Sequence, residues 1–198
     1  MNFLGHLYFS ENDYPIMLAN LYGDFVKGRL ENRFPPVVYK GLVLHRKIDD
    51  FIDSHSIVKD LSRSLYNDLP KVSSIAIDLY FDHLLALHWS KFHKKNFFTY
   101  VDDFFRFALN ENNYSFEGHT FEYDQRFLFL LHRIYSGRWI HNYDKREGLN
   151  FACNGISQRL SFHNSLNLGV DVFLKHEKYI TSVFWLYMKD AQNEFLSN

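Results

Sequence analysis

One stretch limits what this chain can fold into more than any other: Ile75-Ala76-Ile77-Asp78-Leu79-Tyr80-Phe81-Asp82-His83-Leu84-Leu85-Ala86-Leu87-His88-Trp89. At a helical period, Ile75, Leu79 and Ala86 share one face, and Phe81, Leu84, Leu85 and Leu87 cover most of the rest. A helix that is apolar nearly all round is a buried helix. Yet Asp78, Asp82 and His83 lie inside it, with the two carboxylates one turn apart. A buried carboxylate without a partner is costly, so these groups require a cation, a set of hydrogen-bond donors or a metal.

Three other segments repeat the anomaly. Asn2 and His6 are four residues apart, as are Asn20 and Asp24, and His45 and Asp49. Asp53 follows one turn after Asp49, beside the apolar row Gly41, Leu44, Ile48 and Ile52. Residues four apart share a helix face, so each segment can aim two polar groups at one point. Each pair also has an ordinary explanation. His6 can be a hydrogen-bonded core histidine, Asp24 can pair with Lys27, and Asp49 and Asp50 can join Arg46 and Lys47 on a solvated face. Asp53 reads most simply as a helix N-cap, and Asp82-His83 as a buried ion pair. Taken together, several carboxylates around two or three histidines point to hard-cation or transition-metal chemistry. Mixed Asp/His ligation suits Mn²⁺, Fe²⁺, Mg²⁺ or Zn²⁺, and the residues do not choose among them.

The remaining pattern is helical throughout. Pro15, Pro35, Pro36 and Pro70 can each stand in a first helical turn, which predicts helices near 15–28, 35–53 and 70–92. Gly28 ends the first, and Asp53-Ser54-His55-Ser56 breaks the second and caps a short helix near 57–67. Further helices are expected over 96–109, 124–142 with an interruption at Gly137, 144–160 and 166–195. Strand alternation is nowhere sustained, so the fold class is all-α. Without repeats or linker composition, residues 1–198 read as one domain, with the polar motifs in 1–92 and a helical scaffold with a substrate groove in 93–198.

Composition removes several function classes. A formal net charge of −1 gives no global attraction to nucleic acid or to an anionic membrane. No apolar run approaches the ~18 residues of a membrane span. The start, Met1-Asn2-Phe3-Leu4-Gly5-His6, has neither the basic region nor the cleavage pattern of a secretory signal, so a cytoplasmic protein is expected. The single cysteine, Cys153, excludes an intramolecular disulfide and reads as core. Aromatic residues, 19% of the chain, are spread through every segment, as core filling between helices requires. No Glu-x-x-His pair, nucleophile elbow, phosphate-binding loop or dinucleotide fingerprint occurs. His88, His93, His132, His141, His163 and His176 lack acidic partners at helical spacing and are expected to be packing or surface residues.

Four stretches carry a family resemblance: Met1–Leu7, Asn20–Gly28, Gly41–His55 and Ile77–Leu84, the last followed by Trp89. In order and spacing the set resembles the acyl carrier protein phosphodiesterases, also called acyl carrier protein hydrolases. The likeness is close over roughly residues 1–92; beyond that it is reduced to length, helical character and a faint match around Trp139 and Asn154-Gly155. The resemblance implies an all-helical fold distantly akin to the HD-domain metal-dependent phosphohydrolases. It also implies a divalent cation, typically Mn²⁺, and removal of the 4′-phosphopantetheine arm from holo-acyl carrier protein. The family's motif positions fall on His6, Asp24, His45, Asp49, Asp78, Asp82 and His83. Gly5 stands where alanine is common in the family.

The expected enzyme is therefore a metal-dependent phosphodiesterase. A metal would lower the pKa of a bound water and stabilise charge on a phosphate oxygen. Asp24, His45, Asp82 and His83 are the expected ligands; His6, Asp49 and Asp78 are further ligands or groups that orient them. One of those three can also serve as base or leaving-group acid, and Arg46 is a candidate phosphate contact. The alternatives are an HD-like phosphohydrolase acting on a nucleotide or other small phosphoester, and a non-catalytic helical protein whose Asp/His pairs are structural. Acyl carrier proteins are strongly acidic, so docking one on a nearly neutral enzyme needs a local positive patch. Lys27, Arg29 and Arg33, or Lys91, His93, Lys94 and Lys95, are the basic stretches that could supply it.

Overall fold

The computed structural model describes residues 1–116 and 119–196. Its helices are α1 (Phe3–Tyr8), α2 (Tyr14–Leu21), α3 (Pro36–Ser54), α4 (Ser56–Leu65), α5 (Ser73–Leu87), α6 (Phe97–Ala108), α7 (Gln125–Ser136), α8 (Arg146–Ser157) and α9 (Gly169–Phe195). The fold is all-α. Its extended structure among the described residues is one antiparallel pairing of Ser115–Phe116 with His119–Thr120, too short to form a layer. No helix of the described residues is long and apolar enough to cross a membrane.

Helix α5 is the buried centre, as its composition requires. Ala76, Ile77, Tyr80, Phe81 and Leu85 are almost wholly shielded from solvent, and α1, α4, α8 and α9 pack around it. Its tyrosine hydroxyl still needs a partner in so apolar a setting, and Tyr80 donates to the Gly169 carbonyl at the start of α9 (2.6 Å). Tyr100 of α6 likewise donates to the Leu7 carbonyl of α1 (2.8 Å). Helices α2 and α3 approach closely because Gly41 presents no side chain. A Cβ there would lie 2.5 Å from the Cβ of Ala19 and 2.9 Å from the Asn20 amide nitrogen. That contact places Asn20 against the face of α3 that carries His45.

Several boundaries differ from expectation for local reasons. Pro15 and Pro36 do occupy first turns, and the Asp13 side chain caps α2 by accepting from the Ile16 amide. Pro70 does not: it lies in a turn, and α5 begins only at Ser73. The segment expected over 15–28 breaks after Leu21 into a tighter 3₁₀ turn, Tyr22–Phe25, which carries Asp24. At the junction of α3 and α4 the N-cap residue is His55, with no side-chain cap; Asp53 remains inside α3. The helix expected over 124–142 ends at Ser136, beside Gly137.

Two of the later histidines do have acidic partners, contributed by other elements. His141 Nε2 lies 2.7 Å from Asp102, His176 Nε2 2.8 Å from Asp68, and Asp68 also accepts from Lys175 at 2.7 Å. A search at helical spacing detects only partners on the same helix, so these pairings between α6 and the turn after α7, and between α9 and the turn after α4, escape it.

Candidate metal centre

Helix α1, the 3₁₀ turn after α2, α3 and the first half of α5 enclose a cavity of about 280 Å³. Asp24, Asp49, Asp53 and Asp78 line it, and among the described residues no lysine or arginine side chain does so. His6 and His45 supply its imidazoles, both 5% exposed. Their rings stack with centroids 4.4 Å apart and planes 19° apart. Asp49 faces both: Oδ1 is 3.3 Å from His6 Nε2 and Oδ2 is 3.2 Å from His45 Nε2. One ligand atom from each of His6, His45 and Asp49 lies within 4.8 Å of the other two. Asp24 Oδ1 is 3.6 Å from His45 Nε2, on the solvent side.

The donor set suits a divalent cation. His6 Nδ1 is 2.8 Å from Asn20 Oδ1, which holds the Nδ1–H tautomer and leaves the Nε2 lone pair facing the cavity. Asn20 is itself fixed, its amide donating to the His6 carbonyl at 3.1 Å and to Ser10 Oγ at 3.0 Å. Ser10 Oγ donates to the same carbonyl at 2.8 Å. His45 Nδ1 is buried without a hydrogen-bond partner, so the polar contacts of that ring are made at Nε2. The charges converge on the same place. Burial depresses the pKa of His45, but Asp24 and Asp49 outweigh it and raise the value to about 9. Burial and the neighbouring charge of His45 lower that of His6 against the pull of Asp49. Burial opposes ionisation of Asp49, yet His45 and His6 hold its carboxyl far below the usual range. A buried pair of imidazoles thus shares a carboxylate that is ionised throughout the physiological range, the condition a cation needs.

Residues 1–191 match the model of a family described as acyl carrier protein phosphodiesterase. The chain belongs to the acyl carrier protein phosphodiesterase family. It is 29% identical over 163 residues to the acyl carrier protein phosphodiesterase of Escherichia coli O6:H1 (strain CFT073), covering 80% of this chain and 79% of that protein. The protein of the same name from Yersinia pestis is also 29% identical, over 159 residues, with 80% and 79% covered. No solved structure matches.

Within this family member, the residues singled out in the sequence fall into three groups. His6, Asp24, His45, Asp49 and Asp78 all line the cavity. Asp78 also lies 3.0 Å from the α-amino nitrogen of Met1. Asp82 was expected to share a centre with Asp24 and His45, and the structure turns it elsewhere. At 1% exposure it accepts from the amides of Leu4 (2.8 Å) and Gly5 (3.0 Å), the first turn of α1. Burial pushes its pKa up to about 7, against the opposing effects of the Met1 amino group and the two amides. Asp82 therefore fixes the helix that carries His6. His83, also expected as a ligand, makes its contacts elsewhere: its Nδ1 is 2.6 Å from the Tyr143 carbonyl, and its ring packs T-shaped against Phe173 with planes 85° apart. Arg46 lies outside the cavity lining, donating to the Gly28 carbonyl at 2.6 Å.

Two contributors were not assigned to the site by sequence. Asp53 lines the cavity from the last turn of α3, a place its four-residue spacing from Asp49 already indicated. Asn20 holds His6; its spacing to Asp24 marked it as polar in an apolar segment, but its partner lies on another helix.

Proposed function

We propose that this protein is a metal-dependent phosphodiesterase that removes the 4′-phosphopantetheine arm from holo-acyl carrier protein. The observation that carries the reading is the convergence of His6, His45 and Asp49 in a carboxylate-lined cavity of a member of this family. His6, His45 and Asp49 would hold the cation, with Asp24 beside them on the open side. Mn²⁺ is the ion we assign, in keeping with mixed His/Asp donors, and the same donor set supports distant kinship with the HD-domain phosphohydrolases. When bound, such a cation supplies a hydroxide nucleophile at neutral pH and neutralises charge on a phosphate oxygen.

The chain's own residues have separate tasks. Asn20 keeps His6 in one tautomer, and Asp82 keeps α1 in place beneath it. Asp24, exposed at the rim, can accept the proton lost by the attacking water. Burial and the charge of Asp78 raise the pKa of Asp53, so this carboxyl retains a proton more readily and can give it to the leaving oxygen. Asp78 and Asp49 maintain a negative cavity that admits the anionic diester only when the cation is present.

Purified protein loaded with Mn²⁺ should convert holo- to apo-acyl carrier protein, read as loss of the phosphopantetheine mass. His45→Ala and Asp49→Ala should lose both bound metal and turnover. If loaded protein cleaves small phosphoesters or nucleotides but leaves holo-acyl carrier protein intact at low salt, the nucleotide-directed alternative replaces this one. If chelation changes neither activity nor melting, the Asp/His pairs are structural.

A further inference from the structure

Asn2, Phe3 and Ile156 line the metal cavity on one side and a second, larger depression on the other. This groove, about 740 Å³, runs between α7, the turn that follows it, and α8. Its chemistry is the reverse of its neighbour's. Among the described residues the metal cavity has four aspartates and no lysine or arginine side chain, whereas the groove is lined by Arg126, Arg133 and Arg159 and by no aspartate or glutamate. Arg126 is held by Asp124 at 2.7 Å, so Arg133 and Arg159 supply the groove's positive charge. In a chain whose net charge is −1, such a separation of sign across one shared wall creates a local field that the whole molecule lacks.

The groove also presents aromatic surface to solvent. Phe129 is 64% exposed and Phe151 55%, and Trp139 is in contact with Phe151. The Arg133 guanidinium sits 5.9 Å from the ring centre of Phe129 and 5.8 Å from that of Trp139, which holds its charge over the apolar floor. Arg159 donates Nε–H to the Gly155 carbonyl at 3.1 Å, leaving its outer edge at the surface. Arginine and aromatic side chains grouped in this way are the usual anchors of protein interfaces.

We propose that this arginine and aromatic groove is the docking surface for the acidic carrier protein, placed so that the diester linkage of the docked carrier reaches the metal cavity across Asn2, Phe3 and Ile156. The proposal rests on the carrier-protein reading above. Charge complementarity selects the partner, and the three lining residues that the two cavities share set them side by side. The basic stretches anticipated from sequence line neither cavity. Lys95 is engaged by Asp103 at 2.9 Å, Lys91 packs over Trp185, and Arg33 turns back onto the carbonyls of Lys27 and Arg29. Lys91–Lys95 also follow the C-terminal end of α5, whereas Ile75, Asp78 and Leu79 near its start line the cavity.

The test compares steady-state kinetics of wild type, Arg159→Glu, Arg133→Glu/Arg159→Glu and Phe151→Ser, each with Mn²⁺. Three substrates are used: holo-acyl carrier protein, a methyl phosphopantetheine diester without the carrier, and bis(p-nitrophenyl) phosphate. The expected result is a KM for holo-acyl carrier protein raised about tenfold or more in the double variant, and less in each single variant. kcat, and turnover of both small diesters, should stay within about twofold. Added salt should narrow the difference between wild type and the arginine variants, since charge steering is screened over ~8 Å at physiological ionic strength. Arg159→Glu guards against misfolding of the double variant, because Arg159 contacts only a backbone carbonyl among the described hydrogen bonds. A holo-acyl carrier protein KM unchanged in Arg159→Glu and Phe151→Ser overturns the docking surface while leaving the activity intact. An equal rise in KM for the methyl phosphopantetheine diester assigns the groove to the prosthetic arm and also overturns it. If wild type cleaves the small diesters but never holo-acyl carrier protein, the functional reading fails first, and the docking surface with it.

Discussion

Gly23 lies directly beneath the imidazole of His45: a Cβ built on Gly23 would fall onto the ring itself. The 3₁₀ turn that carries Asp24 can therefore approach α3 only because residue 23 has no side chain. Gly23→Ala should push His45 out of position, and a misplacement of about 1 Å in such a site costs on the order of 10²-fold in rate. Overpacking should lower stability by about 1–3 kcal/mol. Titration with Mn²⁺ checks the idea together with thermal unfolding; metal affinity equal to that of wild type in a folded Gly23→Ala protein would refute it.

Asn20 offers a second test, away from the ligand atoms. Replacing it with leucine removes the acceptor for His6 Nδ1 and the amide donor to the His6 carbonyl and Ser10 Oγ, which keep only their bond to each other. Metal affinity should drop about 10–100-fold, the usual effect of losing a group that orients a ligand. Calorimetric metal titration of Asn20→Leu and Asn20→Asp separates the roles. Aspartate can still accept from Nδ1–H and should recover part of the affinity; no recovery, or no initial loss, would count against this arrangement.

Asp82 should behave as a structural anchor rather than a ligand. Asp82→Ala leaves the Leu4 and Gly5 amides buried without an acceptor, each costing about 1–3 kcal/mol. The folded fraction should still bind metal with wild-type stoichiometry. pH adds an independent signature. The folded pKa of Asp82, about 7, exceeds the ordinary aspartate value of 3.8, so the folded state holds the proton more tightly. Its contribution is fully present below pH 3.8 and is lost as pH rises through about 7. Denaturant midpoints measured between pH 4 and 8 should therefore fall less steeply in Asp82→Asn than in wild type. Loss of metal from well-folded Asp82→Asn would restore Asp82 as a ligand.

Cys153 is fully buried, and a Cβ on Gly169 would approach its sulfur within 2.6 Å. Burial pushes the thiol pKa up to about 12, so almost no thiolate exists at pH 8. Iodoacetamide should label it only after denaturation, as intact-mass measurement will show. Rapid labelling of the native protein would contradict the packing of α8 against α9.

Local periodicity alone already exposes much of the fold and of the site. The all-apolar face count of residues 75–87 required a central helix, and the four-residue spacings marked His6, Asp24, His45, Asp49 and Asp78, all of which the fold brings to one cavity. Spacing shows which residues share a face; it does not show what that face meets. The tertiary structure alone decided that Asp82 receives the amides of α1, that His83 meets the Tyr143 carbonyl, and that Asp49 rather than Asp82 stands between the two imidazoles. For Asp82 and His83 those partners are supplied by separate elements, between 60 and 78 residues away, and His6 reaches Asp49 from another helix. The same reason hides the acidic partners of His141 and His176, and the arginine groove, whose walls come together only when α7 and α8 pack beside α1.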